Sequence, residues 1–355
     1  MFNNRLNISV DLYTKKTKDM LLEQNLPRMS GFSKVTRNIG SVRNRGFEIS
    51  VGGLIIDKKD FSWNATINFS ANQSKVLSLG TENQMLESRP VGSASGTENV
   101  LIKEGYPLGL FYGLQMEGIR SNWYSDSNGV GSADSPWWYA TEREMPYGFP
   151  SFADINGDGK INNGSYTIND MGDMKKIGNS TPRFMTGINL DAAYKGWDLQ
   201  MFWQGVLKRD WWPGDKNMTF WGVTDGEWWS TSFKEHLDYF RTSENPLGEN
   251  LNSYYPRPIF NTKNNKSQTR YLQNAAYMRL KNIQVGYTFP KVWINKLMLQ
   301  NLRIFVSGEN LLTITSLSDT MDPETCGAGY QSTEQANGTV YPLAKTISFG
   351  LSVNF

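Results

Sequence analysis

The sequence predicts an all-β protein, an antiparallel segment of a transmembrane β-barrel with long extracellular loops. Three observations favour this fold class. Apolar and polar residues alternate with a period of two in many runs, which is typical of strands with one apolar and one polar face. Aromatic residues make up 13% of the chain and Gly occurs 33 times, which suits strands and turns better than helices. Short turns and long polar loops also alternate along the chain, as at the two rims of a transmembrane barrel.

The run at residues 346–355 shows this alternation most clearly. Hydroxyl, Gly and Asn residues occupy one face of the predicted strand. The other face is apolar and consists of Ile347, Phe349, Leu351, Val353 and Phe355. Transmembrane β-barrels commonly finish on such a strand with an aromatic residue, so this apolar face is expected to contact lipid.

Earlier runs with the same period predict the other strands. The first lies in residues 6–13, and two more, 47–55 and 61–69, are joined by the charged, turn-prone residues 57–60. Such a short polar connection between two alternating runs predicts a hairpin. The later runs are residues 186–194, 197–204, 283–289 and 302–306.

The connections between these runs are expected to alternate in length. The short turns are predicted near 57–60, 195–196 and 290–300, and the long polar loops near 24–41, 120–182, 208–270 and 314–341. A strand at 61–75 and a strand at 183–195 would both meet the long-loop rim, so an even number of strands must separate them. Two strands are expected there, near 98–107 and 109–119, which gives about ten strands in all.

Residues 154–161 match the first positions of an EF-hand-type calcium loop. In such a loop, alternate oxygen ligands converge on one cation, and a backbone carbonyl supplies the next ligand. The predicted ligands are the side chains of Asp154, Asn156 and Asp158 and the carbonyl of Lys160. The pattern therefore predicts a structural Ca²⁺ ion.

The match fails at the last ligand position of this loop. A bidentate Glu belongs there, and the chain has Ser165 instead. Asp170 or Asp173, which follow a short insertion, could complete the coordination shell. The alternative interpretation is an Asx-rich turn that holds no metal.

Tryptophans in the predicted loops form a second group of candidate residues. Exposed aromatic rings beside carboxylates can stack on sugar faces or grip a peptide, which predicts a ligand-binding role. The alternative is that these rings pack the loops against each other or seat a partner. The candidate ligand-binding residues are Trp137, Trp138, Trp211, Trp212, Trp228 and Trp229.

No catalytic residue is predicted. A Ser-His-Asp triad would have to use His236, the lone histidine, and nothing around it resembles a nucleophile elbow. The lone cysteine, Cys326, lies in a Gly-rich polar loop and is expected to be an incidental thiol. Paired loop carboxylates such as Asp225 and Glu227 are too common to indicate a glycosidase. A net charge of only +2 gives no reason to expect nucleic acid as a partner.

Several segments carry a resemblance to a known family. They are residues 4–22, 38–48, 105–109, 154–161, 177–184, 277–282, 307–311 and 341–355. In this order, over nearly the whole chain, they resemble the carboxyl-terminal part of SusC/RagA-type TonB-dependent receptors of Bacteroidota outer membranes. The agreement in order makes the resemblance much more specific than any one motif.

The resemblance implies part of a 22-stranded barrel with a plugged lumen, located in the cell outer membrane. It also implies TonB-dependent uptake of oligosaccharides or peptides, with a SusD-type surface lipoprotein and TonB as partners. The outer-membrane lipid bilayer would surround the strands, and the long loops would bind the glycan or peptide. Because no signal peptide, TonB box or amino-terminal plug is recognisable, residues 1–355 are interpreted as a fragment of such a receptor.

Two other classes of protein are left open by the pattern. A secreted, Ca²⁺-stabilised β-sandwich that binds glycans would show the same alternating strands. An enzyme such as a glycoside hydrolase would need two carboxylates that converge in a cleft, which the sequence cannot show. The polar strand faces contain mostly Asn, Ser, Thr, Gln and Gly, as in a solvated lumen, and this favours the barrel.

Overall fold

Strands form almost all the regular structure of the residues described by a computed structural model of the protein. The described residues are 5–25, 29, 31–32, 34–80, 86–88, 100–119, 148, 150–159, 161–162, 164, 170–212, 234–258, 268–319, 321–326 and 341–355. The long loops predicted at 120–182 and 208–270 therefore lie only partly within the described ranges.

The strands are numbered in chain order. They are β1 (Leu6–Asn25), β2 (Lys34–Lys58), β3 (Phe61–Ser78), β4 (Leu86–Ser88), β5 (Val100–Ile102), β6 (Leu110–Leu114), β7 (Met116–Ile119), β8 (Pro150–Phe152), β9 (Met174–Asn179), β10 (Phe184–Tyr194), β11 (Trp197–Lys208), β12 (Asp210–Trp211), β13 (Gln273–Asn274), β14 (Tyr277–Thr288), β15 (Asn301–Thr315) and β16 (Thr346–Asn354). A short helix, α1 (Lys291–Ile294), and the 3₁₀ turns Lys234–Leu237 and Asn295–Leu297 accompany them. Within the described ranges, none of the helices has the length and apolar character needed to cross a membrane.

Eight of the strands form one sheet, which we call the wall. Its order is β1-β2-β3-β10-β11-β14-β15-β16, and each pair of neighbours is antiparallel. Each strand of the wall therefore pairs with the wall strands that precede and follow it in the chain. This meander confirms the predicted all-β, antiparallel fold class.

The short turns lie where the sequence predicts them. Residues 59–60 join β2 to β3, and residues 195–196 join β10 to β11. Lys195 and Gly196 both have positive φ, 45° and 91°, as a two-residue type I′ hairpin requires. The helix α1 and the 3₁₀ turn after it connect β14 to β15.

The two wall strands predicted near 98–107 and 109–119 are absent from the wall. β3 pairs directly with β10, from Phe61 opposite Tyr194 to Ala71 opposite Phe184, so no strand lies between them. The residues in question form β5, β6 and β7 in smaller sheets. The prediction of about ten strands is therefore wrong, because zero intervening strands also satisfies the even-number requirement of an antiparallel barrel.

The predicted long loop at 24–41 is also mostly strand. β1 continues to Asn25 and pairs there with Lys34 of β2, past an irregularity in the register between Thr17 and Met20. β2 alone has 25 residues, more than twice the about 9–11 residues of a bilayer-spanning strand. This hairpin therefore extends well beyond the thickness of a membrane core.

The wall exposes one apolar face along its length. The exposed fraction is 57% for Ile8 on β1, 47% for Ile67 on β3 and 82% for Phe349 on β16. No second sheet of the described strands covers this face, so the β-sandwich alternative is not supported. A continuous uncovered apolar surface of this kind suits contact with lipid.

The other strands form smaller sheets, which we call the loop layer. Their orders are β4-β5-β6-β9, β7-β8 and β12-β13. The clusters of buried apolar side chains lie mainly in this layer and at its junction with the wall. The protein therefore has its packed core beside the wall and not within a stack of two wall sheets.

Candidate ligand-binding site

The polar face of the wall, which we call the inner face, begins in the alternating residues of β3. Asn64 lies opposite Asp191 of β10, and Thr66 lies opposite Asn189. Directly opposed residues project to the same side of a sheet, so the polar face continues from one strand to the next. Further along β3, the same alternation places Asn72 and Ser74 on the inner face.

The loop layer is hydrogen-bonded to the long-loop end of β3. The Val76 amide donates to the Tyr106 carbonyl at 2.9 Å, and the Gly105 amide donates to the Val76 carbonyl at 2.8 Å. The Leu108 amide donates to Ser74 Oγ at 3.0 Å. Because Ser74 belongs to the inner-face series, the loop layer covers the inner face and leaves the apolar face open.

A cavity of about 280 Å³ lies at this junction, and we call it the rim pocket. β3, β9, the start of β10 and the end of β11 converge on it. Its lining includes Asn72, Gln73, Ser74, Pro107, Lys176, Asn179, Thr181, Arg183, Lys208 and Asp210. Segments that are far apart in the sequence therefore build one polar cavity over the inner face.

The rim pocket has an excess of positive charge. Lys176, Arg183 and Lys208 line it and are all exposed to solvent. Asp210 is the one carboxylate among the described lining residues, and its Oδ2 accepts from the Asn179 amide at 2.8 Å. Three cations therefore face one carboxylate that already holds a backbone hydrogen bond.

A second cavity, of about 470 Å³, is lined by two carboxylates, and each of them accepts hydrogen bonds from neighbouring groups. Glu235 accepts from Ser318 Oγ at 2.6 Å. Asp238 accepts from Asn250 Nδ2 at 2.8 Å and from the Tyr254 amide at 3.2 Å. These contacts hold neighbouring loop segments together.

Trp211 and Trp212 have a packing role in the structure. Their exposed fractions are 1% and 3%, and they belong to a buried cluster with Phe111, Tyr255 and Tyr271. As placed, neither ring can stack on a ligand, because both faces are enclosed by neighbours. The prediction of ligand binding by these two residues gives way to its packing alternative. The other four candidates, Trp137, Trp138, Trp228 and Trp229, lie outside the described residues.

His236 lies beside the same aromatic cluster. Its exposed fraction is 4%, and its ring meets the ring of Tyr255 edge-on with centroids 5.2 Å apart. Burial lowers the pKa of His236 to about 4, because the low-polarity surroundings disfavour the imidazolium form. The histidine is therefore neutral and structural at neutral pH.

Residues 321–326, which we call the anchored segment, are tied to the wall by ion pairs. Arg279 of β14 contacts Asp322 at 2.9 Å and Glu324 at 3.0 Å, and Lys281 contacts Glu324 at 3.0 Å. The side chains of Arg279 and Asp322 are only 4% and 8% exposed, so this pair is buried. These residues were not predictable from the sequence, since no local pattern relates β14 to a loop so far along the chain.

Cys326 ends the anchored segment and is buried. The guanidinium of Arg209 donates to the carbonyl of Pro323 at 3.2 Å and also to the carbonyl of Cys326. Burial raises the pKa of the Cys326 thiol to about 12. The thiol is therefore protonated and enclosed at neutral pH, and it packs as a small apolar group.

The acidic loop at 154–159 adopts a compact turn around its first carboxylate. Asp154 accepts from the Gly157 amide at 2.7 Å and from the Gly159 amide at 2.9 Å. Both glycines have positive φ, 76° and 79°, which a side chain would disfavour. Asn156 and Asp158 are joined by a side-chain hydrogen bond of 3.1 Å.

Asp173 and Asp170 occupy different positions relative to this loop. Asp173 is fully buried, and its oxygens accept from the Ile155 and Asn162 amides, each at 2.8 Å. Asp170 is exposed and accepts from the Gly172 amide at 3.3 Å. Lys160 lies outside the described residues. In the part of the chain that is described, no group of three or more His, Cys, Asp or Glu residues is placed to hold a metal.

Comparisons with known proteins give a consistent result, although no family model matches the chain. TonB-dependent receptor P3 of Formosa agariphila is 30% identical over 364 residues, which include 100% of this chain and 33% of the receptor. TonB-dependent receptor SusC of Bacteroides thetaiotaomicron is 23% identical, over 99% of this chain and 30% of SusC. Over its whole length, the chain is similar to the carboxyl-terminal third of these TonB-dependent receptors.

The solved structure of the RagAB peptide transporter shows the same fold. It matches 100% of this chain and 34% of the transporter chain, with a TM-score of 0.65 and 23% identity. The match confirms the predicted fold class of the wall, an antiparallel segment of a β-barrel. The chain spans about a third of the length of the SusC-type relatives that it matches.

Proposed function

We propose that the chain forms part of the barrel of a nutrient receptor in the cell outer membrane. The observation that carries this proposal is the eight-stranded wall, whose apolar face is open while its polar face is covered by the loop layer. A bilayer favours the apolar face, and a solvated lumen favours the polar one. Homology to SusC-type receptors over the full chain supports the same assignment.

The proposed activity is TonB-dependent uptake of oligosaccharides or peptides. The loop layer sits over the inner face, where a substrate entering the lumen would meet it. Loops held by a rigid scaffold commonly carry the binding residues of a protein. One structural neighbour is named a peptide transporter, which supports peptides as one of the two substrate classes.

The proposed partners are TonB, a surface lipoprotein of the SusD type and the strands that complete the barrel. Within the described part of the chain, the outward edges of β1 and β16 carry no further strand. Unpaired strand edges are costly in lipid, because backbone amides and carbonyls find no water there. Further strands of the receptor would satisfy both edges.

Growth of the native host tests the proposed uptake. Deleting the coding sequence should abolish growth on one oligosaccharide or peptide source from a panel and leave growth on glucose unchanged. Deleting TonB should produce the same defect, because TonB would supply the energy for transport. Unchanged growth on the whole panel, together with recovery of the protein in the cytosolic fraction, would contradict the proposal.

We also propose that the acidic loop holds a structural Ca²⁺ ion. The support is the EF-hand-like spacing of Asp154, Asn156 and Asp158, together with a backbone that already curves around Asp154. Hard oxygen ligands of this kind suit Ca²⁺, which would fix the geometry of the loop and take no part in chemistry. Asp173 supports the loop from within through its two backbone hydrogen bonds.

Calcium removal tests this second proposal. A bound ion stabilises the loop by about 2.7 kcal/mol when its concentration is one hundred times the Kd. Adding EGTA should therefore speed proteolysis between β8 and β9 in the native protein, and Asp158→Asn should abolish the EGTA effect. The matched control is Asp319→Asn, an acidic residue of another loop. Equal proteolysis rates with and without EGTA would argue for a metal-free Asx turn.

A further inference from the structure

We propose that the rim pocket binds a carboxylate group of the transported substrate, either a uronic acid or the carboxyl terminus of a peptide. The inference rests on the proposed receptor function and specifies the chemistry of its ligand. It is carried by the charge balance of the pocket, by an unsatisfied polar atom and by the pocket volume.

The cations of the rim pocket lack the partners that similar cations have elsewhere on the inner face. Arg303 pairs with Asp198, and Arg279 pairs with Asp322, both in the wall or against it. Lys176, Arg183 and Lys208 form no ion pair with any described residue. A concave surface with uncompensated positive charge attracts anions, because the charges around the cavity act together on an ion that enters it.

The main chain fixes the relative positions of two of these three residues. The Arg183 amide donates to the Lys208 carbonyl at 3.0 Å, which joins two of the cationic residues through their main chains. The Arg183 guanidinium lies over the Phe184 ring at 5.1 Å from its centroid. The planar guanidinium can donate two parallel hydrogen bonds to a carboxylate, and the two ammonium groups add point charges.

Asn72 adds a second indication that a ligand belongs in the pocket. Its Oδ1 atom is buried and has no hydrogen-bond partner among the described groups. Buried polar atoms are nearly always paired, because an unpaired one loses its hydration without compensation. As placed, the oxygen is closed to solvent, so a hydroxyl or amide beside the carboxylate of a ligand would donate to it after the Asn72 side chain turns toward the pocket that it lines.

The size of the pocket limits what enters it. Its volume of about 280 Å³ is close to the lower end of typical ligand cavities, which begin at about 300 Å³. It therefore admits one sugar ring or one amino-acid residue and leaves the rest of an oligomer along the inner face. The carboxylate of Asp210 offsets part of the positive charge of the three cations. The pocket therefore favours an anionic ligand but does not bind it too tightly for release.

The test uses two matched pairs of probes on the native protein, purified in detergent with its accompanying chains. The first pair is trigalacturonate and its neutral methyl ester, and the second is acetyl-trialanine and its amide. Isothermal calorimetry should show about tenfold tighter binding of the acid in at least one pair, a difference of about 1.4 kcal/mol. The preference should shrink as ionic strength rises, because salt screens exposed charges.

Variants locate the preference in the rim pocket. Lys176→Gln with Arg183→Gln should remove most of the tenfold preference, whereas Lys58→Gln with Lys59→Gln, at the short-turn rim, should leave it unchanged. Asp210→Asn should increase affinity for the acid by about threefold, because it removes the opposing charge and keeps an oxygen for the Asn179 amide. Heat-modifiable gel mobility confirms that each variant is folded.

The two arms also identify the ligand. A preference for trigalacturonate that the pocket variant removes supports a uronic acid, and the same result with the peptide acid supports a carboxyl terminus. Equal binding of acid and neutral probe in both pairs, or a preference that survives in the pocket variant, overturns the proposal. Either of those results leaves the receptor function intact, since growth and membrane location test that function separately.

Discussion

The wall and the loop layer are stabilised in different ways. The wall leaves large apolar side chains such as Phe349 uncovered and is held by long, regular hydrogen-bonded ladders. The loop layer has short strands and encloses Trp211 and Tyr271 almost completely. The difference shows where each region finds its apolar surroundings. A lipid bilayer supplies them for the wall, whereas the loop layer must build its own core because it projects into water.

The two regions are joined by a few specific contacts. Hydrogen bonds from residues 105–108 to the end of β3 attach the loop layer at one site. Ion pairs between β14 and the anchored segment, whose Cys326 packs in the same buried cluster as Trp211, attach it at another. Substitutions that destabilise one region and spare the other therefore provide the strongest tests of this difference between the wall and the loop layer.

The largest expected effect comes from removing the central ring of the loop-layer core. Trp211→Ala should destabilise the loop layer by about 3–5 kcal/mol, the usual cost of deleting a buried large aromatic side chain. The wall should keep its stability, because its ladders do not depend on this core. Native-state hydrogen exchange should show faster exchange in β6, β9 and β12 and unchanged exchange in β10 and β11. Tyr341→Ala, at a ring that is 88% exposed, is the matched control.

The next effect tests the apolar face of the wall. Phe349→Arg should destabilise the inserted barrel by about 2–4 kcal/mol, because it places a charge in lipid. Ser348→Arg, one position earlier and on the inner face, should cost far less. Urea unfolding of the receptor in lipid vesicles measures both. Similar costs for the two variants would show that the two faces do not differ in environment.

A smaller effect is expected at the anchored segment. Asp322→Asn should lower the free energy of detaching residues 321–326 from the wall by about 2 kcal/mol, because one charged hydrogen bond is lost. The effect stays moderate because Arg279 keeps Glu324 as a partner. Limited proteolysis near the segment reports the loosening. Asp319→Asn, a nearby acidic control, should cleave at the wild-type rate. If Asp322→Asn also cleaves at that rate, the ion pair does not hold the segment.

The smallest effect concerns pH. The folded pKa of His236 is about 4 against an ordinary value of 6.5, so the unfolded loop takes up a proton at higher pH than the folded loop does. The neutral His236 therefore contributes fully to the stability of the folded loop above about pH 6.5, and this contribution declines as the pH falls toward 4. Hydrogen exchange around residues 234–237 should therefore quicken between pH 7 and 5.5, after correction for intrinsic rates. The His236→Gln variant should lose this dependence, and a persistent one would rule His236 out as its source.

The wall was predictable from the sequence because its signal is local. A period of two is visible within each strand, and Lys195-Gly196 marks a hairpin by itself. The strand count was not predictable in the same way, since the pairing of β3 with β10 joins residues more than a hundred positions apart. Parity restricts that pairing to an even number of intervening strands and does not choose between two and zero.

The candidate site was only partly predictable for the same reason. The acidic loop has its spacing within residues 154–158, so a motif identifies it. Lys176 and Lys208 lie in no motif, and the resemblance segment that contains Arg183 gives it no binding role. The three residues meet only because β9, β10 and β11 converge. Trp211 and Trp212 have the same local sequence whether they are exposed or buried, and tertiary packing alone decides between the two roles.

Cysteine scanning of β16 tests whether the wall has one face in lipid and the other in a solvated lumen. Single cysteines at positions 346–354 would be labelled in lipid vesicles with a charged, water-soluble maleimide. Wild-type Cys326 should stay unlabelled, because it is buried and its pKa is raised to about 12. We expect labelling at the inner-face positions and protection at the residues between them. The inner-face positions are Thr346, Ser348, Gly350, Ser352 and Asn354. Uniform labelling of both faces would contradict a wall with one face in lipid and the other in a solvated lumen.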